Sequence, residues 1–320
     1  MLLESGHEAQ DFIMNTNVKQ KIFGKNARAI YTEAIKELHR LEQVMHFYKG
    51  TSEVALLNRY AGEKAVKISE EMMLALQQSM DVSLLSDRYF NVMLAPFVQL
   101  WRSAGQKNKL PSTDEIQRIL SLCDPHDLVL DVANHTAYLK KKETMIDLEG
   151  LRKGFAIDAC CDIYQKMGAT SAFINLGGDV KAIGNRLDGA PWMIGVQHPD
   201  RPKGTNYCAL MCSDLSVVTS GGSKRHQEVN GKKYHYILNG KTGYPSESDL
   251  KSVTVLSKRS TEADAISTAA FAMGLERGVN LIYRSECVGA IFLTTSNEIY
   301  TTKGVKQHLR LLEKMTHYEV

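Results

Sequence analysis

The chain has 320 residues, 43% hydrophobic and 23% charged, with 23 glycines and 7 prolines. These proportions exclude collagen-like, low-complexity and disordered classes. Lysine and arginine exceed aspartate and glutamate by 39 to 36, a net charge of +3. The one run of three basic residues is Lys140-Lys141-Lys142, so neither nucleic acid nor an anionic membrane surface is an expected partner.

No segment approaches the roughly 18 consecutive apolar residues of a transmembrane helix. Residues 1–10 carry Glu4, His7 and Glu8 and no apolar core, which is unlike a signal peptide. The first hundred residues hold no cysteine for a lipid anchor. Six cysteines (Cys123, Cys160, Cys161, Cys208, Cys212 and Cys287) are thinly spread. Without a second cysteine or histidine pair at ligand spacing they read as small buried hydrophobes. A reduced, cytoplasmic protein is expected.

In chain order, residues 12–23 read as a strand. A helix follows over 27–45, with Ile30, Ala34, Leu38, Leu41 and Met45 on one stripe. Ser69 is the N-cap of a second helix bearing Met72, Leu76 and Met80. Ser112 with Glu115 forms a capping box. Strands are expected at 128–132 and 136–140 and a helix near 154–167. Short apolar strands at 172–176, 193–196, 234–238, 252–256 and 290–294 then alternate with glycine turns, and a helix spans 262–273. Helices first and strands later suggest an α+β fold.

Four segments carry residue types suited to chemistry. In the first, residues 145–158, a strand ends at Asp147, Gly150 allows a turn, and Lys153 precedes a helix. A helix start beside a lysine favours phosphate, and an ordinary strand-to-helix connection is the alternative. The second, residues 173–179, places Gly177-Gly178 and Asp179 directly after a strand. The third joins Val218-Thr-Ser-Gly-Gly222 to the 234–245 stretch containing His235 and Tyr236. The fourth is the 260–274 helix, where Asp264 and Thr268 share a face and offer the hard oxygens magnesium takes. A capping box between Thr261 and Asp264 is the alternative there.

In order, spacing and content these segments resemble the FAD:protein FMN transferase family, the ApbE-type flavin transferases. Further similarities are Met14-Asn-Thr16, the stretch from Tyr48 to Asn58, that from Phe90 to Trp101, and Pro191-Trp-Met-Ile-Gly195. The resemblance covers about residues 12–300. It implies an ApbE-like, T-fold-related α+β architecture with a helix-rich N-terminal and a strand-rich C-terminal part. Residues 1–11 would be an extension, 12–310 a single domain and 311–320 a tail. The implied activity is magnesium-dependent transfer of FMN from FAD to a threonine or serine hydroxyl of an acceptor flavoprotein, releasing AMP. By motif position Asp264, Thr268 and the Gly150 carbonyl would hold magnesium. Met14, Tyr48, Tyr89, Asn91, Asp147, Lys153 and Ile237 would contact FAD. His235, Tyr236 and Asp264 are the candidate catalytic residues.

The sequence departs from the family pattern at Asn91, Glu149, Arg152, Gly222-Ser223, Tyr236 and Gly240. Tyr236 takes the family's histidine position and His235 falls one residue early. Since a phenol is a poor base near neutrality, the pattern predicts firm FAD binding with slow transfer. Arg152, one residue before Lys153, is expected to fork onto the diphosphate. A weakened FAD-binding protein and a magnesium-dependent FAD pyrophosphatase are the alternatives.

Overall fold

A hairpin opens the chain where the sequence suggested one strand. In the computed structural model, which describes residues 6–221 and 226–320, β1 (Gly6–Ile13) pairs antiparallel with β2 (Thr16–Phe23). The turn residues Met14 and Asn15 have φ of 55° and 60°, the signs a two-residue hairpin needs to follow strand twist. No glycine marks this turn. Met14 is held in it by burial and by its N–H, which donates to Glu42 Oε1 at 2.9 Å.

The helices begin where the capping signals lie. α1 (Ala27–Met45) buries the expected stripe from Ile30 to Met45. Ser52 caps α2 (Glu53–Arg59), and β3 (Val66–Lys67) leads to α3 (Glu70–Leu85), capped by Ser69. After α4 (Ala95–Lys107), the Ser112–Glu115 capping box starts α5 (Thr113–Leu120). β4 (Leu128–Asp131) and β5 (Thr136–Leu139) join β3 in a small sheet. Then come α6 (Arg152–Lys166), β6 (Ser171–Leu176), β7 (Asp179–Ile183), β8 (Trp192–Gln197), β9 (Asn206–Cys212) and β10 (Ser216–Gly221). The chain continues through β11 (His226–Val229), β12 (Lys232–His235), β13 (Leu250–Ser257), α7 (Ser260–Met273) and α8 (Leu275–Arg284). β14 (Gly289–Thr294), β15 (Ile299–Thr301), β16 (Leu309–Leu311) and β17 (His317–Glu319) complete it. Helices and strands are interleaved, so the expected split into a helical first part and a stranded second part gives way to a mixed α+β fold.

Nine strands form the main sheet in the order β1-β2-β6-β7-β10-β13-β14-β15-β17. Its inner strands, such as β13 and β14, bury both faces. Val218, Val253 and Val255 point into the larger core with α1, α6 and α7. Their neighbours Val217 and Leu256 point into a smaller core beneath a second sheet, β16-β9-β8. Alternation along a strand builds both cores from the same segments. All six cysteines are free, five of them buried, in keeping with their reading as small hydrophobes. Among the described residues no helix is long and apolar enough to cross a membrane.

Candidate active site

The functional segments meet at one end of the main sheet. The β1–β2 turn, the Gly177-Gly178 turn between β6 and β7, and the ends of β10, α6 and α7 surround a cavity of about 980 Å³, large for a small-molecule site. Met14, Tyr89, Asn91, Asp147, Gly150, Lys153, Tyr236, Ile237, Asp264 and Thr268 all line it. Tyr48 and His235 do not. Tyr48 is 61% exposed, and its hydroxyl accepts from Arg102, one helical turn beyond the lining residue Val98.

The corner formed by α6 and α7 holds most of the charge. Lys153 Nζ pairs with Asp179 and lies 3.9 Å from Asp264 Oδ1. Burial opposes the lysine's charge, but the two carboxylates more than offset it and hold Lys153 above its ordinary value. Asp264 is buried, and its Oδ2 accepts the Gly154 N–H at 3.0 Å. Burial pushes this carboxyl well above the usual range despite Lys153. Thr268, four residues on, meets Ser220 through hydroxyl oxygens 3.0 Å apart. Asp147 is also pushed up by burial, to about 6, while its Oδ1 accepts the Glu149 N–H.

The capping alternative for Asp264 is not what forms. Thr261 gives its N–H and hydroxyl to Asp158 of α6, and Ser260 gives its N–H to the same carboxylate. Asp264 reaches back to Gly154 in the first turn of α6. Each helix therefore supplies the acceptor that the other helix's start lacks. Gly154 permits the contact, because a Cβ there would overlap the Ser260 carbonyl.

His235 and Tyr236 are separated by the end of a strand. The expected 234–238 strand stops at His235, where β12 ends. The His235 ring stacks between Tyr236 and Phe271 at 4.8 and 4.7 Å. Its Nδ1 accepts the Ile237 N–H at 3.0 Å, and burial pushes the imidazole down to about 4. Tyr236, 41% exposed, stands between that ring and the cavity.

Four of the departures from the motif pattern touch in two pairs, Glu149 with Arg152 and Asn91 with Gly240. Arg152 is buried and does not line the cavity; it pairs with Glu149 at 2.8 Å, which corrects its expected approach to a diphosphate. Gly240 packs so closely on Arg88 that a Cβ would overlap the Arg88 carbonyl, with Asn91 beside it. Both ends of the Asn91 amide are engaged, by the Cys123 carbonyl and the Met93 N–H. Gly222 and Ser223 lie outside the described residues. Asp158, Ser220 and Asp179 were not singled out as site residues; the signal was their motifs, but their roles depend on partners distant in sequence.

The α+β fold carries a large cavity at its sheet end, lined by the start of α6 with Lys153 and by the buried carboxylate Asp264 of α7. Residues 14–292 match the ApbE family, and the chain belongs to that family. It is 29% identical over 308 residues to the FAD:protein FMN transferase of Klebsiella pneumoniae (strain 342), covering 96% of this chain and 95% of that one. It is 27% identical to the enzyme of the same name from Treponema pallidum (strain Nichols), covering 95% and 88%. The crystal structure of the ApbE protein of Thermotoga maritima superimposes with a TM-score of 0.86 at 27% identity, covering 95% of this chain and 99% of that one.

Proposed function

We propose that the protein moves FMN from FAD to a threonine or serine hydroxyl of an acceptor flavoprotein, with magnesium, releasing AMP. One observation carries this reading: a buried carboxylate with incomplete charge compensation, Asp264, faces the same cavity as Lys153 at the start of α6 and Thr268 of its own helix. The donors fit a hard cation. Asp264 supplies a carboxylate, Thr268 a hydroxyl and Gly150 a carbonyl, all oxygens, and magnesium commonly keeps some of its waters beside so few protein groups. Bound there, magnesium would neutralise oxygens of the diphosphate as charge develops on them.

The chain's own residues do the rest. Lys153, kept charged by Asp179 and Asp264, adds a fixed positive group at the same corner. Met14, Tyr89, Asn91, Asp147 and Ile237 would bind FAD along the helical side of the cavity. The acceptor's oxygen bonds to the FMN phosphorus as the bond from that phosphorus to the bridging oxygen breaks. AMP leaves with the bridging oxygen, and the hydroxyl proton passes to a base.

Tyr236 occupies the position from which a side chain would take that proton, and a phenol is almost wholly protonated near neutrality. Transfer is therefore slow in this reading. His235, behind the Tyr236 ring and engaged by the Ile237 N–H, is not the base. The test is to incubate the protein with FAD, magnesium chloride and a threonine-bearing acceptor, then quantify AMP and covalent flavin by mass. Tyr236→His should raise the rate by ~10- to 100-fold, up to the low end of the roughly 100- to 10,000-fold usual for general acid–base catalysis. His235→Phe should leave it unchanged. A brisk wild-type rate abolished by His235→Phe and unimproved by Tyr236→His overturns the assignment. Absence of AMP in every case overturns the transfer reading itself.

A further inference from the structure

The Pro191-Trp-Met-Ile-Gly195 stretch has no part in the chemistry above, yet residues 193–197 line the cavity. It belongs to β8, an outer strand of its sheet that pairs, among the described residues, only with β9. Ile194 and Val196 turn into the smaller core and Met193, Gly195 and Gln197 face outward, and all five line the cavity, so the strand meets it from both faces. Met193 is 55% exposed. Phe173 and Asn175 of β6 and Thr219 of β10 line it too, with Phe173 stacked on Trp192 at the start of β8. On β6 the intervening Ala172, Ile174 and Leu176 belong to the larger core, so Phe173 and Asn175 lie on the far face of the main sheet. The lining therefore falls into two arms about the sheet end, one with Tyr89, Asn91 and Asp147 on the helical side and one with the β8 residues, and Asp179, Ser220 and Thr268 line the same cavity.

We infer that the β8 arm is the docking site for the acceptor protein, an extended segment of which lies along β8 and delivers its hydroxyl to the corner of Lys153, Asp264 and Thr268. This inference rests on the FMN-transfer reading. The arm is continuous with that corner, and a second reactant has to reach the diphosphate from a side that FAD leaves open. None of the positions matched to FAD contact falls on β6, β8 or β10. The wall itself suits a polypeptide. An outer strand offers main-chain donors and acceptors along its unpaired edge, and extended chains add to such edges with alternate side chains read by pockets. Gly195 makes room for a side-chain amide: a Cβ there would overlap Asn206, so Asn206 lies across the strand and lines the arm. With Asn175 and Gln197 it provides amides that bond peptide groups from either side. Met193 provides the apolar contact.

The test uses the full chain with FAD, magnesium and one probe, a synthetic peptide of glycine and alanine with a central threonine. The peptide should slow amide hydrogen exchange at residues 193–197. Met193→Glu, which alters an exposed side chain, and Gly195→Val, which displaces Asn206, should each raise the peptide KM by about tenfold, the effect of losing one good contact. FAD affinity, measured by flavin fluorescence, should be unchanged. Unaltered peptide KM in both variants overturns the inference. So does weakened FAD binding, which would assign the arm to FAD, or protection that grows with protein concentration without peptide, which would assign it to a second copy. If the wild type transfers nothing, the parent reading fails, and peptide protection of 193–197 still decides the docking site by itself.

Discussion

Asp264 accepts the Gly154 N–H, and in the proposed function it also supplies a charge to the cation. Asparagine keeps the first and removes the second. Asp264→Asn should weaken magnesium binding by calorimetry and cut transfer about 100-fold, with the melting temperature little changed. The metal-free protein gives a second readout. Burial raises this carboxyl above its ordinary 3.8, so its contribution is fully present below that value and is lost as pH rises through the folded value. In chelator, the wild type should lose stability towards neutral pH relative to Asp264→Asn, and magnesium should restore it. Parallel curves would contradict the buried-charge account. His235 titrates with the opposite sign. Its folded value, about 4, lies below the ordinary 6.5, so stability is present above about 6.5 and lost as pH falls towards 4. His235→Phe keeps the stack on Phe271 and should flatten this acid limb, at a cost of about 1 kcal/mol for the Ile237 N–H left without its acceptor. Urea melts across pH 4–7 measure both effects. The sequence put Tyr236 in the family's histidine position and His235 one residue early, but what holds His235 depends on where β12 ends and on Phe271, 36 positions further along.

Among the elements, the α6–α7 pair shows why part of the site was legible and part was not. The spacing of Asp264 and Thr268 put them on one face, and the cavity lining bears that placement out. Local spacing also offered a Thr261–Asp264 capping box. The acceptor for Thr261 instead lies 103 residues earlier, and the donor to Asp264 lies 110 residues earlier, beyond what any window of sequence displays. Where caps are local, as at Ser69 and Ser112, the helix starts were readable. Asp158 also holds Lys181 at 2.7 Å. Asp158→Ala removes the acceptor for the start of α7 and leaves Lys181 without this carboxylate. A loss of about 2–4 kcal/mol in urea unfolding is expected. Asp158→Asn, which keeps one acceptor, should fall between the variant and the wild type. Equal losses in the two would mean that the charge pair alone matters and the caps do not.

For the whole molecule, the strands were legible from apolar runs, but their order was not. β2 lies beside β6, pairing Val18 with Leu176, and the cavity exists only because that order brings the β1–β2 turn next to the β6–β7 turn. The same order ties the two cores together. Val217 and Val218 are neighbours in one strand yet belong to different cores, so neither core can loosen without disturbing the strands that build the other. Unfolding should accordingly be a single calorimetric transition. FAD bound as proposed, in the cavity at the sheet end, should then move that entire transition upward. At a hundredfold excess over Kd the gain is about 2.7 kcal/mol, several degrees for a chain of this size. Magnesium should add a further increment in the wild type and none in Asp264→Asn, since the buried carboxylate is what the cation compensates. Differential scanning calorimetry with FAD alone and with FAD plus magnesium measures each part. A split transition, in which FAD raises one component and leaves the other in place, would show that the shared strands do not couple the two cores.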